Sequence, residues 1–503
     1  MERVAVMLGW MLVAAAAVWL RFDELAARPF HADEATGARI TAMRMESGGG
    51  KFDPKHYHGP LLGDLAIPIC RARGEDGWRE MTKETLRLLP AGAGVLLVFA
   101  PLFWRRLFGD PAALLAGAFL AVSPLMAYYS RMFIHEMLLT LFGVLALAAM
   151  TRGPRPVAAG VLIGLMYATK ESFAISMIAW TVAALLTAAL VPGVWKREVV
   201  TAFAFRWWRP LLTAGLLALG VAMVFYTGFL THPRGAVDAV KTFFVYETVE
   251  GHDKPPLWYA ELLAWPRKSG GVWWFETPLL VFALVAFGAS FSNKGRLSRH
   301  RHLVRFLAFS AAGHFVIYSL FAYKTPWLAC LPWAHVCLLA GFALAALPEC
   351  RRWQWGAVVA AILLVGTPLL RQTRMACGRL SSDERNPYAY VPTRRDVERL
   401  DEWIRQLRAK AGPEGTDAAA VVGNDYWPLP WYLRDFAKVG YWQEPPAGLE
   451  KMAFVFAMPA ASHETGARLT DTHTAVPRGL RAEVPLMVHV RNDIWEKWME
   501  VEP

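Results

Sequence analysis

Residues 91–150 read AGAGVLLVFAPLFWRRLFGDPAALLAGAFLAVSPLMAYYSRMFIHEMLLTLFGVLALAAM. Three apolar runs fill this stretch, and only short polar segments separate them. One separating segment carries Arg105 and Arg106, and the other carries the ionisable string SRMFIHE (130–136). A helix needs about 20 apolar residues to cross the ~30 Å hydrocarbon core of a bilayer. The stretch therefore predicts consecutive membrane helices, with a basic loop at one end and a loop of mixed charge at the other.

The composition of the whole chain favours the same class of protein. The 503 residues are 55% hydrophobic and only 19% charged, whereas soluble proteins average about 25% charged residues. Aromatic residues make up 13% of the chain and cysteines number five, which excludes a disordered chain and a disulfide scaffold. Because the net charge of +11 lies largely in short loops between apolar runs, it indicates a membrane protein with no nucleic-acid partner.

About eleven apolar runs are long enough to be membrane spans. They lie at roughly 4–20, 86–103, 111–129, 137–150, 156–169, 172–192, 210–230, 277–292, 305–322, 327–348 and 355–370. We therefore predict a mainly α-helical, polytopic membrane bundle. Alternate loops hold basic pairs, such as Arg105 and Arg106 or Lys196 and Arg197. The positive-inside rule places these loops in the cytoplasm of a multi-pass protein of the cell inner (cytoplasmic) membrane.

Three larger pieces then fall on the extracytoplasmic side. They are a first outer loop at 21–85, a middle loop at about 231–275 and a tail at 372–503, which gives a transmembrane domain at 1–371 and a separate tail domain. The tail combines an amphipathic helix over Arg394–Ala411 with short buried strands at Ala418–Val422, Ala453–Ala457 and Leu486–Val490. This mixture predicts a small α/β domain. Cys70 and Cys377 also fall on this side, where they are either free or paired.

Ionisable side chains concentrate at the outer ends of the spans, where such groups are costly and usually functional. The candidates for a catalytic role are Asp33, Glu34 and Glu136. The candidates for substrate binding are His31, His56, Tyr57, His58, Arg131, His135, Lys170, Glu171, Asp253, Lys254, Tyr323 and Lys324. Carboxylates beside a bilayer can act as a general base, and the lysines can neutralise a lipid-linked phosphate.

Each of these clusters also has a structural interpretation. Asp33 and Glu34 suit the first turn of a helix, where the helix dipole favours negative charge. The lysines can extend from span ends towards the interface, and the neighbouring aromatic residues can anchor the chain at headgroup level. For Asp33 and Glu136, a shared divalent metal ion is a further alternative; the sequence requires no other cofactor.

Eight strings spread over most of the chain resemble one known class of membrane enzyme. They are HADEA (31–35), YHGPLL (57–62), SRMFIHE (130–136), ATKES (168–172), HDKPPLWY (252–259), YKTPWL (323–328), NPYAYVPT (386–393) and WPLPWYLRD (427–435). Together they resemble the GT-C class of polyprenyl-phosphate-sugar glycosyltransferases. Within it they are most similar to the prokaryotic flippase-activity-associated branch related to protein O-mannosyltransferases. The acidic-pair string of this class often carries Pro where this chain has Ala32.

The resemblance implies a GT-C fold and an inverting sugar transfer at the extracytoplasmic face. Asp33 would be the main catalytic carboxylate and Glu34 its partner, with Glu136 assisting. Lys170, Lys324 and Lys254 would stabilise the leaving phosphate. The implied partners are a polyprenyl-phosphate-linked sugar donor, the bilayer and a glycan, lipid or protein acceptor, together with a flippase in the associated branch.

Two other functions stay open at this point. A non-catalytic partner of a lipid-linked-sugar flippase would use the tail for docking and tolerate loss of Asp33. A transporter would place its carboxylates near the bilayer midplane, within broken helices and inverted repeats. The sequence places them at the outer ends of the spans and shows no inverted repeat.

Overall fold

The computed structural model describes residues 2–47, 52–151, 155–245, 253–348, 351–412 and 415–500. In the first 377 residues, the helices are Glu2–Phe22, Ala32–Glu46, Leu61–Ala72, Lys83–Val98, Ala100–Trp104, Arg105–Phe108, Asp110–Val122, Pro124–Tyr129, Glu136–Thr151, Pro156–Thr169, Phe173–Ala189, Arg197–Tyr226, Gly235–Val245, Trp258–Leu263, Thr277–Ala289, Arg296–Arg299, Arg301–Leu320, Pro326–Ala329, Cys330–Phe342, Ala343–Ala346, Arg351–Ala361, Ile362–Gly366 and Thr367–Cys377. A small hairpin of β1 (Arg267–Ser269) and β2 (Val272–Trp274) lies in the middle loop.

The membrane part matches the predicted spans. Within the described residues, six helices are long and apolar enough to cross a bilayer. They are Arg3–Phe22, Lys83–Phe108, Arg197–Tyr226, Arg301–Leu320, Pro326–Ala346 and Arg352–Cys377. Five shorter apolar helices are Asp110–Val122, Glu136–Thr151, Pro156–Thr169, Phe173–Ala189 and Thr277–Ala289. Together they occupy the positions of the eleven predicted runs, which confirms a mainly α-helical membrane bundle.

One predicted span is interrupted. The run at 111–129 forms two helices, Asp110–Val122 and Pro124–Tyr129, because Pro124 lacks an amide hydrogen and disfavours helical geometry at Ser123. The hydroxyl of Ser123 caps the second helix by accepting from the Met126 amide. It also donates to Glu276 at 2.5 Å. The break therefore directs a polar side chain into the bundle interior.

Helices at the centre and at the periphery differ sharply in burial. The helix Pro326–Ala346 is almost wholly buried, whereas Arg197–Tyr226 is almost wholly exposed. The exposed helix packs on Pro156–Thr169 through Gly160 and Gly164. At either glycine, a side chain would lie about 2.5 Å from a backbone oxygen of the neighbouring helix. Small residues four apart permit such close helix contact in membranes.

The tail forms the predicted α/β unit around a five-stranded sheet. Its strands are β3 (Ala418–Val422), β4 (Lys438–Trp442), β5 (Phe454–Ala457), β6 (His473–Arg481) and β7 (Val484–Arg491), and its helices are Arg395–Arg399, Leu400–Ala411, Leu429–Tyr432, Leu449–Lys451, Pro459–Leu469 and Asn492–Met499. The strand order is β4-β3-β5-β7-β6. Strands β4, β3 and β5 run parallel, while β7 is antiparallel to both β5 and β6. The three predicted strands are the central three, and the two edge strands were missed.

The tail is tied to the first outer loop at Phe30. The amide of Phe30 donates to the Tyr432 hydroxyl at 2.9 Å, and its carbonyl accepts from the Thr393 hydroxyl at 2.8 Å. The ring of Phe30 packs on Trp431 with ring centroids 4.3 Å apart. These contacts fix the segment that leads directly into the acidic pair. Cys70 and Cys377 are free thiols, so the two do not form the disulfide left open above.

Candidate active site

The two acidic residues of HADEA point in different directions. His31 caps the helix Ala32–Glu46: its Nδ1 accepts from the Asp33 amide at 3.2 Å, while the Glu34 carboxylate accepts from the His31 amide at 3.1 Å. The other ring nitrogen of His31 donates to the Tyr390 carbonyl at 3.1 Å. This capping box directs Glu34 inward, whereas the side chain of Asp33 stays 53% exposed.

Glu34 is fully buried and held by two arginines. Arg87 contacts it with two nitrogens at 2.7 and 2.8 Å, and Arg28 approaches at 3.0 Å. The Phe133 amide adds a further hydrogen bond at 2.9 Å. Although burial opposes ionisation, Arg87 and Arg28 lower the pKa of Glu34 to about 2. Together with the His31 amide, these groups give the Glu34 carboxylate five hydrogen-bond donors. A carboxylate held in this way is suited to positioning its neighbours.

A second group of charged side chains lies around the short loop between the helices Pro156–Thr169 and Phe173–Ala189. Lys170 donates to Glu136 at 2.6 Å in a buried ion pair. The neighbouring Glu171 accepts from His58 Nδ1 at 3.0 Å. Burial opposes the charge on Glu171, but His58 and Lys170 lower its pKa to about 2. His135 stands edge-on to His58, with ring centroids 5.2 Å apart, and donates to the Gly59 carbonyl.

The hydroxyl of Tyr323 is under the electrostatic influence of both acidic groups. Burial raises the pKa of its hydroxyl to about 12; the charge of Lys170 opposes the rise, while Asp33, Glu136 and Glu171 add to it. All four charged groups therefore act on one hydroxyl. This shared electrostatic influence agrees with a common site at this rim of the bundle, and the convergence of the predicted residues there stays a prediction.

Tyr390 and Arg481 connect the tail to the segment around the acidic pair: the Tyr390 carbonyl accepts from His31, and Arg481 bridges to Thr393, which binds Phe30. Burial raises the pKa of Tyr390, and Tyr323 and Asp33 raise it further. Burial lowers the pKa of Arg481, while the charges of Asp425 and Asp33 raise it. The Arg481 guanidinium donates to the Asp425 carbonyl at 2.8 Å. Sequence reasoning missed both residues; Tyr390 lies within a resembling string, but nothing in the sequence marks Arg481.

Lys324 and Lys254 occupy different environments beside Tyr323. Lys324 is buried, and its ammonium group donates to the carbonyls of Lys254 and Phe321. Lys254 is half-buried, and its own ammonium group lies 5.9 Å from the centroid of the Tyr390 ring. The two lysine-bearing segments are joined by a bridge between Asp253, which is exposed, and Tyr323. His252, the first residue of HDKPPLWY, lies outside the described residues.

Three further predicted binding residues have different surroundings. His56 is exposed and contacts Asp53 at 2.9 Å, and Tyr57 beside it is half-buried. Arg131 is buried and donates to the carbonyls of three residues at the end of the first helix, Leu20, Asp23 and Glu24. The contacts of Arg131 favour a structural role, and the substrate contacts of all three stay predictions.

Asp33 and Glu136 do not belong to a cluster of metal-binding side chains. Among the described residues, no three side chains of His, Cys, Asp or Glu are grouped so that they could hold one. Glu136 also accepts from the Lys170 ammonium group, which leaves less of its charge for a metal shared with Asp33. The metal shared by Asp33 and Glu136 stays a prediction.

A further buried carboxylate, Glu276, escaped the sequence analysis. It accepts from the Ser123 hydroxyl, the Trp333 indole at 2.8 Å and the Tyr388 hydroxyl at 2.9 Å. The Leu125 amide is a fourth donor at 3.3 Å. These contacts tie the start of the helix Thr277–Ala289 to two further membrane helices and to the start of the tail.

The architecture is similar to that of solved membrane glycosyltransferases. ArnT from Cupriavidus metallidurans aligns in its apo state with a TM-score of 0.61 at 18% identity, covering 97% of this chain and 99% of that one. Its structure bound to undecaprenyl phosphate gives 0.62 at 16% identity, with 96% and 98% covered. The oligosaccharyltransferase AglB from Archaeoglobus fulgidus, in complex with an inhibitory peptide and a dolichol-phosphate, gives 0.54 at 13% identity, with 91% and 69% covered.

These similarities define the fold. ArnT and AglB are GT-C glycosyltransferases, and this chain has the GT-C fold. No protein-family model matches the sequence, and a search of the curated proteins finds no match. The resemblance to the GT-C class is thus confirmed, while the closer resemblance to the flippase-associated branch stays a prediction.

Proposed function

We propose that this protein is an integral membrane glycosyltransferase that transfers a sugar from a polyprenyl-phosphate donor to an acceptor hydroxyl. The observation that carries the proposal is the exposed carboxylate of Asp33, set at the rim of a GT-C fold beside a fully fixed Glu34. The donor class is supported by two similar structures, which hold undecaprenyl phosphate and dolichol-phosphate.

The reaction would be a direct displacement. The Asp33 carboxylate orients the acceptor hydroxyl and accepts its proton as the oxygen attacks the anomeric carbon. The new carbon–oxygen bond forms as the bond to the phosphate oxygen breaks, and polyprenyl phosphate leaves with the bonding electrons. Attack from the face opposite the phosphate inverts the anomeric configuration. A phosphate leaving group needs no general acid, so one carboxylate base suffices.

The leaving phosphate would be stabilised by cations at the same rim. Lys254 is half-buried above Tyr390, and Arg481 forms a β-bridge with Thr393, whose hydroxyl binds the Phe30 carbonyl just before the acidic pair. Preorganised charge in a partly buried site is often the largest contribution to catalysis. Lys170 would act through its pair with Glu136, and Lys324 would hold the loop that carries Tyr323.

The location of the site follows from the loop charges. The opposite end of the bundle carries Arg105 and Arg106, which we place in the cytoplasm by the positive-inside rule. The candidate site and the tail would then face the extracytoplasmic side of a cytoplasmic membrane. The acceptor, whether a glycan, a lipid or a protein, would enter between the first outer loop and the tail.

The test compares two aspartates of the same outer loop in proteoliposomes supplied with a polyprenyl-phosphate sugar. Asp33→Asn should reduce transfer at least a hundredfold, because general base catalysis typically contributes about 10²–10⁴-fold. Asp76→Asn, which changes an exposed aspartate outside the site, should leave transfer unchanged. Transfer by Asp33→Asn at the wild-type rate would refute the base assignment.

The same preparations separate the alternatives. A non-catalytic flippase partner predicts no transfer by the wild-type protein and no effect of Asp33→Asn on lipid flipping. A transporter predicts movement of substrate into sealed vesicles without formation of a glycosidic bond. Covalent transfer that depends on Asp33 contradicts both.

A further inference from the structure

A second concave surface lies at the end of the bundle opposite the candidate active site. The helix Glu2–Phe22 connects the two ends: its last turn leads into the first outer loop, while Arg3 at its start lines a cleft of about 1420 Å³. At 1.5 Å per residue, the twenty or so residues of this helix separate the ends by ~30 Å. The cleft is therefore a different site, and what it binds does not depend on the proposed function.

The mouth of the cleft is strongly basic. Its arginines are Arg3, Arg105, Arg106, Arg296 and Arg299. Asp110 is the one acidic side chain among the described residues that line it. Arg105 and Arg106 are exposed and form no ion pair with any described residue. Burial lowers the pKa of His300, and two of these arginines lower it further. Among the described residues, Arg105 and Arg106 therefore give the mouth positive charge that no acidic side chain pairs with.

Behind the basic mouth, the cleft is apolar. Met7, Trp10 and Ala14 follow Arg3 at intervals of three or four residues, so they lie on one face of the helix. Trp10 stacks on Phe99, with ring centroids 5.7 Å apart, and forms part of the wall. The side chain of Met7 remains 56% exposed. The cleft therefore combines positive charge at its mouth with an open apolar wall along the helix axis. This combination is complementary to an amphipathic ligand.

We propose that this cleft binds a phosphate-bearing membrane lipid, with its headgroup on the arginines and its acyl chains along the apolar face of the first helix. Guanidinium groups bind phosphate oxygens through charge-assisted, often bidentate hydrogen bonds. Basic pockets between membrane helices are suited to anionic lipid headgroups. A soluble phosphate compound would use only the mouth and leave the wall exposed, so the wall favours a lipid.

The experiment measures binding of phosphatidylglycerol to the purified full chain by native mass spectrometry, with phosphatidylcholine as the reference lipid. The double variant Arg105→Gln/Arg106→Gln should weaken phosphatidylglycerol binding at least tenfold. The matched control, Arg206→Gln/Arg209→Gln, removes the same charge from the exposed helix Arg197–Tyr226 outside the cleft and should change binding less than twofold. Equal losses in both variants, or no loss in either, would overturn the proposal.

A second binding experiment distinguishes a lipid ligand from a soluble anion. Met7→Gln/Met11→Gln should weaken phosphatidylglycerol binding several-fold, because both exposed side chains would contact acyl chains. Glycerol 3-phosphate should compete only at concentrations at least a hundredfold higher than the lipid. Competition at equal concentration, or lipid binding unaffected by the methionine variant, would contradict a lipid site. An unchanged thermal unfolding midpoint shows that each variant is folded.

Discussion

Replacing Glu34 by Gln tests whether the two adjacent acids have separate roles. The change removes one negative charge from a side chain with no exposed surface. Its closest partner, Arg87, is equally buried and would lose its counter-charge, and Arg28 would lose its carboxylate contact. A glutamine can keep part of the hydrogen bonding but cannot supply the charge. We therefore expect a large loss of stability from a change that preserves shape.

Two estimates of the magnitude agree. Removing one partner of a buried ion pair typically costs about 3–5 kcal/mol. Independently, a pKa of about 2 in place of 4.5 for Glu34 corresponds to about 3 kcal/mol, at about 1.4 kcal/mol per pH unit. The expected loss in the free energy of unfolding is therefore about 3 kcal/mol. Asp33→Asn changes a side chain that is 53% exposed and should cost less than about 0.5 kcal/mol.

The assay pairs equilibrium unfolding in mixed micelles with sugar transfer at a temperature where both variants are folded. Glu34→Gln should unfold more readily yet keep most transfer activity per folded molecule. Asp33→Asn should show the reverse, with stability unchanged and transfer lost. If Glu34→Gln were as stable as the wild type but inactive, Glu34 would be a direct participant and the positioning role would be wrong.

Three further outcomes follow from the same contacts. Glu136→Gln and Lys170→Met should each destabilise the protein by about 3 kcal/mol, and the double variant by clearly less than their sum; additive losses in a double-mutant cycle would exclude coupling across this pair. Tyr432→Phe leaves the buried Phe30 amide without its acceptor and should cost about 1–3 kcal/mol; hydrogen exchange at Phe30 should quicken, and unchanged protection would contradict the docking role. The carboxylate of Glu34 stabilises the fold fully above about pH 4.5, and this contribution is lost as the pH falls towards 2. An acid titration of stability should therefore be flatter for Glu34→Gln than for the wild type across that window.

The spans and the rim clusters were predictable from local patterns. The length of the apolar runs alone located the membrane helices, because ionisable residues are rarely tolerated at membrane depth. The amphipathic spacing of Val397, Leu400, Ile404 and Leu407 predicted the tail helix, and all four are buried. The break at Ser123–Pro124 was missed, although the residue before a proline disfavours helical geometry.

The different environments of Asp33 and Glu34 could not be predicted from local sequence patterns. The partners that fix Glu34 come from separate parts of the chain: Arg28, Arg87 and Phe133. No local pattern brings these residues together. Arg481 joins the site only because the strand β6 ends there, and β6 was not predicted. Its burial does not follow the strict alternation that marks a strand in sequence.

The contacts at Phe30 and His31 make the position of Asp33 depend on the tail. Thr393 and Tyr432 hold the backbone of Phe30, and Tyr390 holds the ring of His31 whose other nitrogen caps the helix that begins at Ala32. Glu34 fixes the same turn from the membrane side. The exposed carboxylate is thus held between two rigid supports, which is the preorganisation that a positioned base needs. Substitutions in the tail that touch neither substrate should therefore reduce transfer by displacing Asp33, an effect that a tail used only for docking would not produce.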